Sequence, residues 1–135
     1  MSGLGNSEAR RKEGDLRFRR ECRLKKREEI RAVFKEGRIN SCFGAKLFVL
    51  KNTVGHTRIV FAFSRKFGNA VERNRCRRVG REAYRHLQCD VKQGFDLALL
   101  VYPVGKDTFS GRMEQLRRLF SKADLFVAPV LEERV

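Results

Sequence analysis

Residues Arg58–Arg85 read RIVFAFSRKFGNAVERNRCRRVGREAYR, and two periodicities meet inside them. In Arg58–Ser64 the residues Ile59, Phe61 and Phe63 alternate with Val60 and Ala62, the repeat of a strand with apolar side chains on both faces. From Ala70 to about Leu87 the repeat becomes helical. Asn69 stands where a side-chain oxygen can cap the first turn. At about 100° per residue Cys76, Val79, Gly80, Ala83 and Leu87 share one arc. Arg73, Arg77, Arg81 and Arg85 follow at steps of four on the side read as opposite, with Asn74 and Arg78 beside them.

Upstream, KLFVLKN (Lys46–Asn52) reads as another strand, and the short connection TVGHT predicts an antiparallel hairpin with Arg58–Ser64. Leu24, Ile30, Val33 and Phe34 recur at helical spacing, which predicts a helix over Lys26–Glu36 with Gly37 as its C-cap. RINSCFGA, between that helix and the strand, reads as a loop. Downstream, FDLALLVY (Phe95–Tyr102) is closed by Pro103 and is rich enough in Leu to be a central strand. A last helix is expected from Ser110 as cap, with Met113, Leu116, Leu119, Phe120 and Ala123 on one side. The order α-β-β-α-β-α predicts an α+β fold, a two-layer α/β sandwich with a small sheet. One domain is expected over residues 22–123. A flexible basic tail, residues 1–21 with Phe18 as its large anchor, precedes it, and a C-terminal tail, residues 124–135 with Pro129, follows.

Lys and Arg number 31 against 16 Asp and Glu in 135 residues, a formal charge of +15. Such a surplus points to a polyanion, because each phosphate neutralised releases counterions; nucleic acid is the first candidate and an anionic membrane surface the second. No apolar run approaches the length of a membrane span, and MSGLGNSEARRKEGD lacks the apolar centre of a secretory signal, so a cytoplasmic protein is expected. Cys22, Cys42, Cys76 and Cys89 form no C-x-x-C pair and read as reduced thiols, and the spacing of Cys76, His86 and Cys89 fits no common metal site. From Arg65 to Arg85 eight basic residues face two acids, Glu72 and Glu82. A solvated helix face relieves such repulsion with acids at i+4; here they are scarce, and Arg is the residue whose planar fork matches phosphate. Gly68 and Asn69 leave amides at the positive end of the helix beside Arg65 and Lys66, a second phosphate-binding feature. Arg23, Lys25, Lys26, Arg27 and Arg31 add another basic cluster, and eleven Phe offer core and, on any uncovered sheet face, a stacking platform for bases.

Catalytic patterns are missing from the sequence. Neither His56 nor His86 has a nucleophile placed beside it, no phosphate-binding G-x-x-x-x-G-K-[ST] loop occurs, and the acids are too dispersed for two-metal nuclease chemistry.

Ser64–Arg85 closely resembles the signature of the bacterial ribonuclease P protein component, with Gly68-Asn69-Ala70-Val71 and Arg73-Asn74-Arg75 in its register. The resemblance extends to RLKKREEIRAVFKEG (Arg23–Gly37) and GFDLALLVYP, covering about Arg23–Phe120. It implies a monomeric cofactor protein for a catalytic RNA subunit that removes the 5′ leader of precursor tRNA, with Mg2+ held mainly by the RNA, no protein catalytic residue and no membrane partner. It further implies a left-handed βαβ crossover. By position, Arg65, Lys66, Asn69, Arg73, Asn74, Arg75, Arg77, Arg78 and Arg81 would face the RNA subunit. The leader would lie in a cleft between the first helix and the sheet, at Ile30, Phe34 and Phe48, with Phe61 and Phe63 assigned to the same cleft. Ile30 replaces the aromatic residue common in the family, Val60 a common Gly, and Gly80 a common larger apolar residue. The rival reading from composition is a structural RNA-binding protein such as a ribosomal protein.

Overall fold

The computed structural model describes residues 20–104 and 108–127. The chain runs α1 (Arg27–Glu36), β1 (Arg38–Cys42), β2 (Ala45–Lys51), β3 (Arg58–Phe63), α2 (Ala70–Leu87), β4 (Phe95–Val101) and α3 (Phe109–Lys122), with single 3-10 turns at Arg20–Cys22 and Gln88–Asp90. The fold is α+β, as its alternating periods require. Of the expected tail over residues 1–21 only Arg20 and Glu21 are described; Phe18 and Pro129 lie outside the described residues.

The four strands stand in the order β1-β2-β4-β3. The Leu-rich strand takes the central place: β4 is antiparallel to β2 and parallel to β3, with Leu97, Ala98 and Leu99 fully buried. That insertion overturns the expected hairpin between Lys46–Asn52 and Arg58–Ser64. Instead Asn52–Thr57 crosses the end of β4, a gap of about 9.5 Å that six residues span easily. Asn52 organises the crossing, donating to His56 O (3.0 Å) and to Asp96 Oδ1 (2.8 Å) and accepting from Val54 N–H (3.0 Å). The true hairpin joins β1 to β2 through Phe43-Gly44, so RINSC is a strand and not a loop, and the order gains one β. RINSC carries little apolar alternation because it is an edge strand whose Ile39 is 57% exposed. Pairing to β2, a non-local contact, supplies its conformation.

Each face of the sheet carries its own core. Ala45, Leu47, Val49, Ile59, Phe61, Leu97, Leu99 and Val101 pack under α2 and α3, with Tyr84 and Phe120 meeting edge to face at 6.1 Å. On the other face Phe48 and Ala98 pack against Leu24 and Val33, with Ile30, Phe34, Leu50, Val60 and Leu100 around them. Leu24 N–H donates to Ile59 O at 3.0 Å, so the segment before α1 lies along the outer edge of β3.

Three local expectations change. Gly37 does end α1, but at φ −72° and ψ 153°, so handedness does not demand glycine there. Close approach does, since a Cβ would meet Val33 O at 2.5 Å and Val49 N at 3.1 Å. The last helix is capped by Thr108, whose side chain accepts from Gly111 N–H, and Ser110 lies inside its first turn. The domain also runs past residue 123: Leu125 is buried, Lys92 N–H donates to Leu125 O (2.6 Å), and Phe126 bridges to Val91. An apolar Leu-Phe pair following a tight turn has a core to fill, which the acidic surroundings of the sequence conceal.

Candidate nucleic-acid interface

Asn69 caps α2 as its sequence predicts. Its side chain accepts from Glu72 N–H (2.9 Å) while Glu72 Oε1 accepts from Asn69 N–H (3.0 Å), a reciprocal capping box. Gly68, at φ +141°, makes this possible, because a Cβ there would overlap the Glu72 carboxylate. The Glu72 carboxylate therefore sits at the helix N-terminus. One of the two acids in the basic segment is thus committed to the backbone, and the second, Glu82, receives Arg85 at 3.0 and 2.7 Å. Those bonds hold the Glu82 carboxyl below the ordinary carboxylate range.

The four-step ladder is not uniformly opposite the core. Four residues advance an α-helix by about 40° beyond a full turn, so the row swings round as it climbs. Arg73 begins beside the core, half-buried, donating to Ser64 O and Arg65 O at 3.5 and 3.4 Å with its guanidinium 5.9 Å from the Phe63 ring. Arg77 also lies over Phe63, at 5.1 Å, and donates to Asn74 Oδ1 at 2.7 Å. Burial and the like charges of Arg23 and Arg77 push the Arg81 guanidinium pKa down, so the segment preceding α1 contributes to the same field. Arg65, Lys66, Asn69, Asn74, Arg75 and Arg78 are exposed. Asn74, Arg77, Arg78, Arg81, Glu82 and Arg85 line a groove of about 600 Å3. Its cationic walls and open mouth suit phosphates of a folded RNA.

A second groove, of about 500 Å3, runs along α1 between Lys25, Arg27, Ile30, Arg31, Phe34 and Lys35. Phe34 meets Phe48 of β2 edge to face, ring centroids 4.8 Å apart. An apolar floor with cations on its rim is the arrangement that unpaired nucleic acid requires, bases on rings and phosphates on ammonium or guanidinium groups. Beneath the N-terminal turn of α1 an ion-pair network sits at one end of this region. Arg58 chelates Asp96 through two bonds of 2.8 Å and reaches Glu29 of α1 at 3.2 Å. The carboxylates around it push the Arg58 pKa up. Sequence reasoning missed this group, although Asp96 inside FDLALLVY was a signal: a charge in a buried strand demands a partner, and Arg58 is its register neighbour on β3.

The family model described as Ribonuclease P matches residues 18–124. The chain belongs to the ribonuclease P protein family. The Ribonuclease P protein component of Exiguobacterium sp. is 36% identical over 109 residues, spanning 81% of this chain and 96% of that protein. Among solved structures, the Staphylococcus aureus RNase P protein superposes with a TM-score of 0.70 at 24% identity, covering 78% of this chain and 98% of its own. The RNase P protein from Thermotoga maritima gives 0.64 at 27% identity, covering 74% and 96%.

Within the ribonuclease P fold the residues assigned to the cleft divide. Ile30, Phe34 and Phe48 pack together between α1 and the sheet. Phe61 and Phe63 do not, because odd-numbered residues of β3 face α2 while Val60 faces α1. Phe61 is 6% exposed beneath Gly80, and Phe63 meets Phe67 at a tilt, ring centroids 4.9 Å apart, under Arg73 and Arg77. Phe63 thus supports the basic helix. Gly80 leaves the space that the Phe61 ring fills, and Val60 joins the apolar packing around Phe48. Among the described residues no three His, Cys, Asp or Glu side chains gather so as to hold a metal ion. Nor, among those residues, is any helix long and apolar enough to cross a membrane.

Proposed function

We propose that this ribonuclease P family protein is the cytoplasmic, monomeric subunit that binds the catalytic RNA through α2 and the Ser64–Asn69 loop. It would hold the 5′ leader of precursor tRNA in the α1 groove and so assist removal of that leader. The supporting observation is the pairing of two surfaces of different chemistry on one small fold: a guanidinium-lined face on α2, and an apolar groove with a cationic rim along α1. The first suits phosphates of a folded RNA and the second an unpaired strand. The protein's part is electrostatic and positional. Its guanidinium groups lower the cost of bringing two polyanions together, and groove contacts favour precursor over mature tRNA because only the precursor has a strand to place there. The magnesium of the reaction belongs, in this reading, to the RNA phosphates.

Cleavage of precursor tRNA at physiological magnesium tests the proposal, using a bacterial ribonuclease P RNA alone, the protein alone, and both. Efficient cleavage at the mature 5′ end by the pair only is the expected result. A protein that adds nothing to the RNA would favour a structural RNA-binding role, and cleavage by RNA-free protein would require a nuclease centre of its own.

A further inference from the structure

The two acids of the basic segment serve different ends. Glu72 closes the capping box of α2 and faces the backbone. Glu82, one turn past Arg78, is the one acid among the described residues that line the guanidinium groove. Its two carboxylate oxygens accept from Arg85 Nε–H at 3.0 Å and Nη2–H at 2.7 Å, and His86 Nε2 stands 3.4 Å from the second of them. This is the side-on, two-bond geometry with which a guanidinium grips a phosphate. The carboxylate thus occupies the place on Arg85 that a phosphate would take, and its charge stands in a groove otherwise walled by cations and an amide. Arg77 differs, since it donates to the neutral Asn74 Oδ1 (2.7 Å), a partner that brings no repulsive charge. The Glu82 and Arg85 side chains are 44% and 29% exposed, so an incoming RNA backbone can reach the pair, which is not sealed as Arg58–Asp96 is. A pair this exposed contributes little to stability, and its main consequence is electrostatic.

We propose that Glu82 sets RNA selectivity by holding Arg85 away from phosphate, a carboxylate brake at the C-terminal end of the α2 interface. The inference rests on the reading of α2 as the face that binds the RNA subunit. Counterion release favours every phosphate contact whatever RNA supplies it, so a helix with each guanidinium open to phosphate would hold any structured RNA tightly. Glu82 removes one such contact and sets a like charge against phosphates that approach Arg78 and Arg81. An RNA whose shape places its phosphates ahead of Glu82 loses little, because its backbone has no need to reach Arg85. An RNA of no fixed fit loses the contact and meets the repulsion as it shifts along the row. Selectivity is gained by weakening the wrong partners.

The test measures binding of the full chain, across a salt titration, to a bacterial ribonuclease P RNA and to an unrelated structured RNA of similar length. Glu82→Gln keeps the shape of the side chain and removes its charge. It is expected to tighten the unrelated RNA several-fold and to steepen its salt slope by about one, to tighten the RNA subunit less, and so to lower the preference between them, with thermal unfolding close to wild type. The gain requires Arg85: in an Arg85→Ala background Glu82→Gln should bring no steeper slope, whereas a plain loss of negative charge would act there equally. Weaker binding by Glu82→Gln would make Glu82 a residue that orients Arg85 toward phosphate, and overturns the inference. So does an unchanged slope, a gain that survives in the Arg85→Ala background, or an undiminished preference for the RNA subunit. A wild-type protein that binds the two RNAs equally overturns the parent reading instead.

Discussion

Gly80 and the Phe61 ring share one space between α2 and β3. A Cβ on residue 80 would lie 2.8 and 2.9 Å from two ring carbons, so Gly80→Ala must displace a buried aromatic side chain. Alanine gains about 1 kcal/mol of helix propensity over glycine, while overpacking a filled core costs about 1–3 kcal/mol. The packing term wins here because a ring pinned under a helix has no free rotamer to yield. Urea unfolding should show Gly80→Ala less stable than wild type, and Phe61→Leu should recover part of the loss in the Gly80→Ala background while destabilising the wild type. Equal stability of Gly80→Ala and wild type would mean that the helix shifts away from the sheet without cost.

At the scale of elements, the drift of the arginine row along α2 separates two duties. Arg73 and Arg77 lie over Phe63 and bind loop carbonyls or Asn74, whereas Arg78 is exposed and displayed outward. Arg78→Ala should therefore lower RNA-subunit affinity and the salt slope by about one with thermal stability unchanged. Arg73→Ala should lower both binding and stability. Matching stability losses in the two variants would contradict this division. The Arg58–Asp96–Glu29 network joins α1 to the centre of the sheet, with the Arg58 and Asp96 side chains only 15% and 6% exposed. Arg58→Leu strands a buried carboxylate and should cost about 3–5 kcal/mol in denaturant titration. A loss below about 1 kcal/mol would place the network among ordinary surface pairs.

The molecule as a whole keeps its two cores, and hence two kinds of mutational effect, on opposite faces of one sheet. Phe61→Ala should cost about 3–5 kcal/mol, as a buried ring removed from the larger core, with leader preference intact in whatever fraction remains folded. Phe34→Ala, at a half-buried position on the α1 groove, should instead reduce the preference of the assembled complex for precursor over mature tRNA at modest cost in stability. Competition binding with the two tRNAs reads that preference directly. Loss of leader preference in Phe61→Ala, with Phe34→Ala behaving as wild type, would move the groove to the α2 face.

Local chemistry alone determined α2, with its Asn69 cap and its guanidinium row, because capping and a one-sided charge pattern act within a few turns of chain. The Leu-rich strand likewise declared its central place, since only a strand buried on both faces needs Leu97, Ala98 and Leu99 in succession. Tertiary structure decided what depends on distant partners. RINSC became an edge strand through pairing with β2; β4 entered between two strands that the sequence set side by side; Leu125 found a core beyond the apparent end of the domain. The division of Phe48 from Phe61 follows from the same cause. Alternation shows that two residues face different sides of a strand, but which side carries α1 and which carries α2 is fixed by the path of the whole chain.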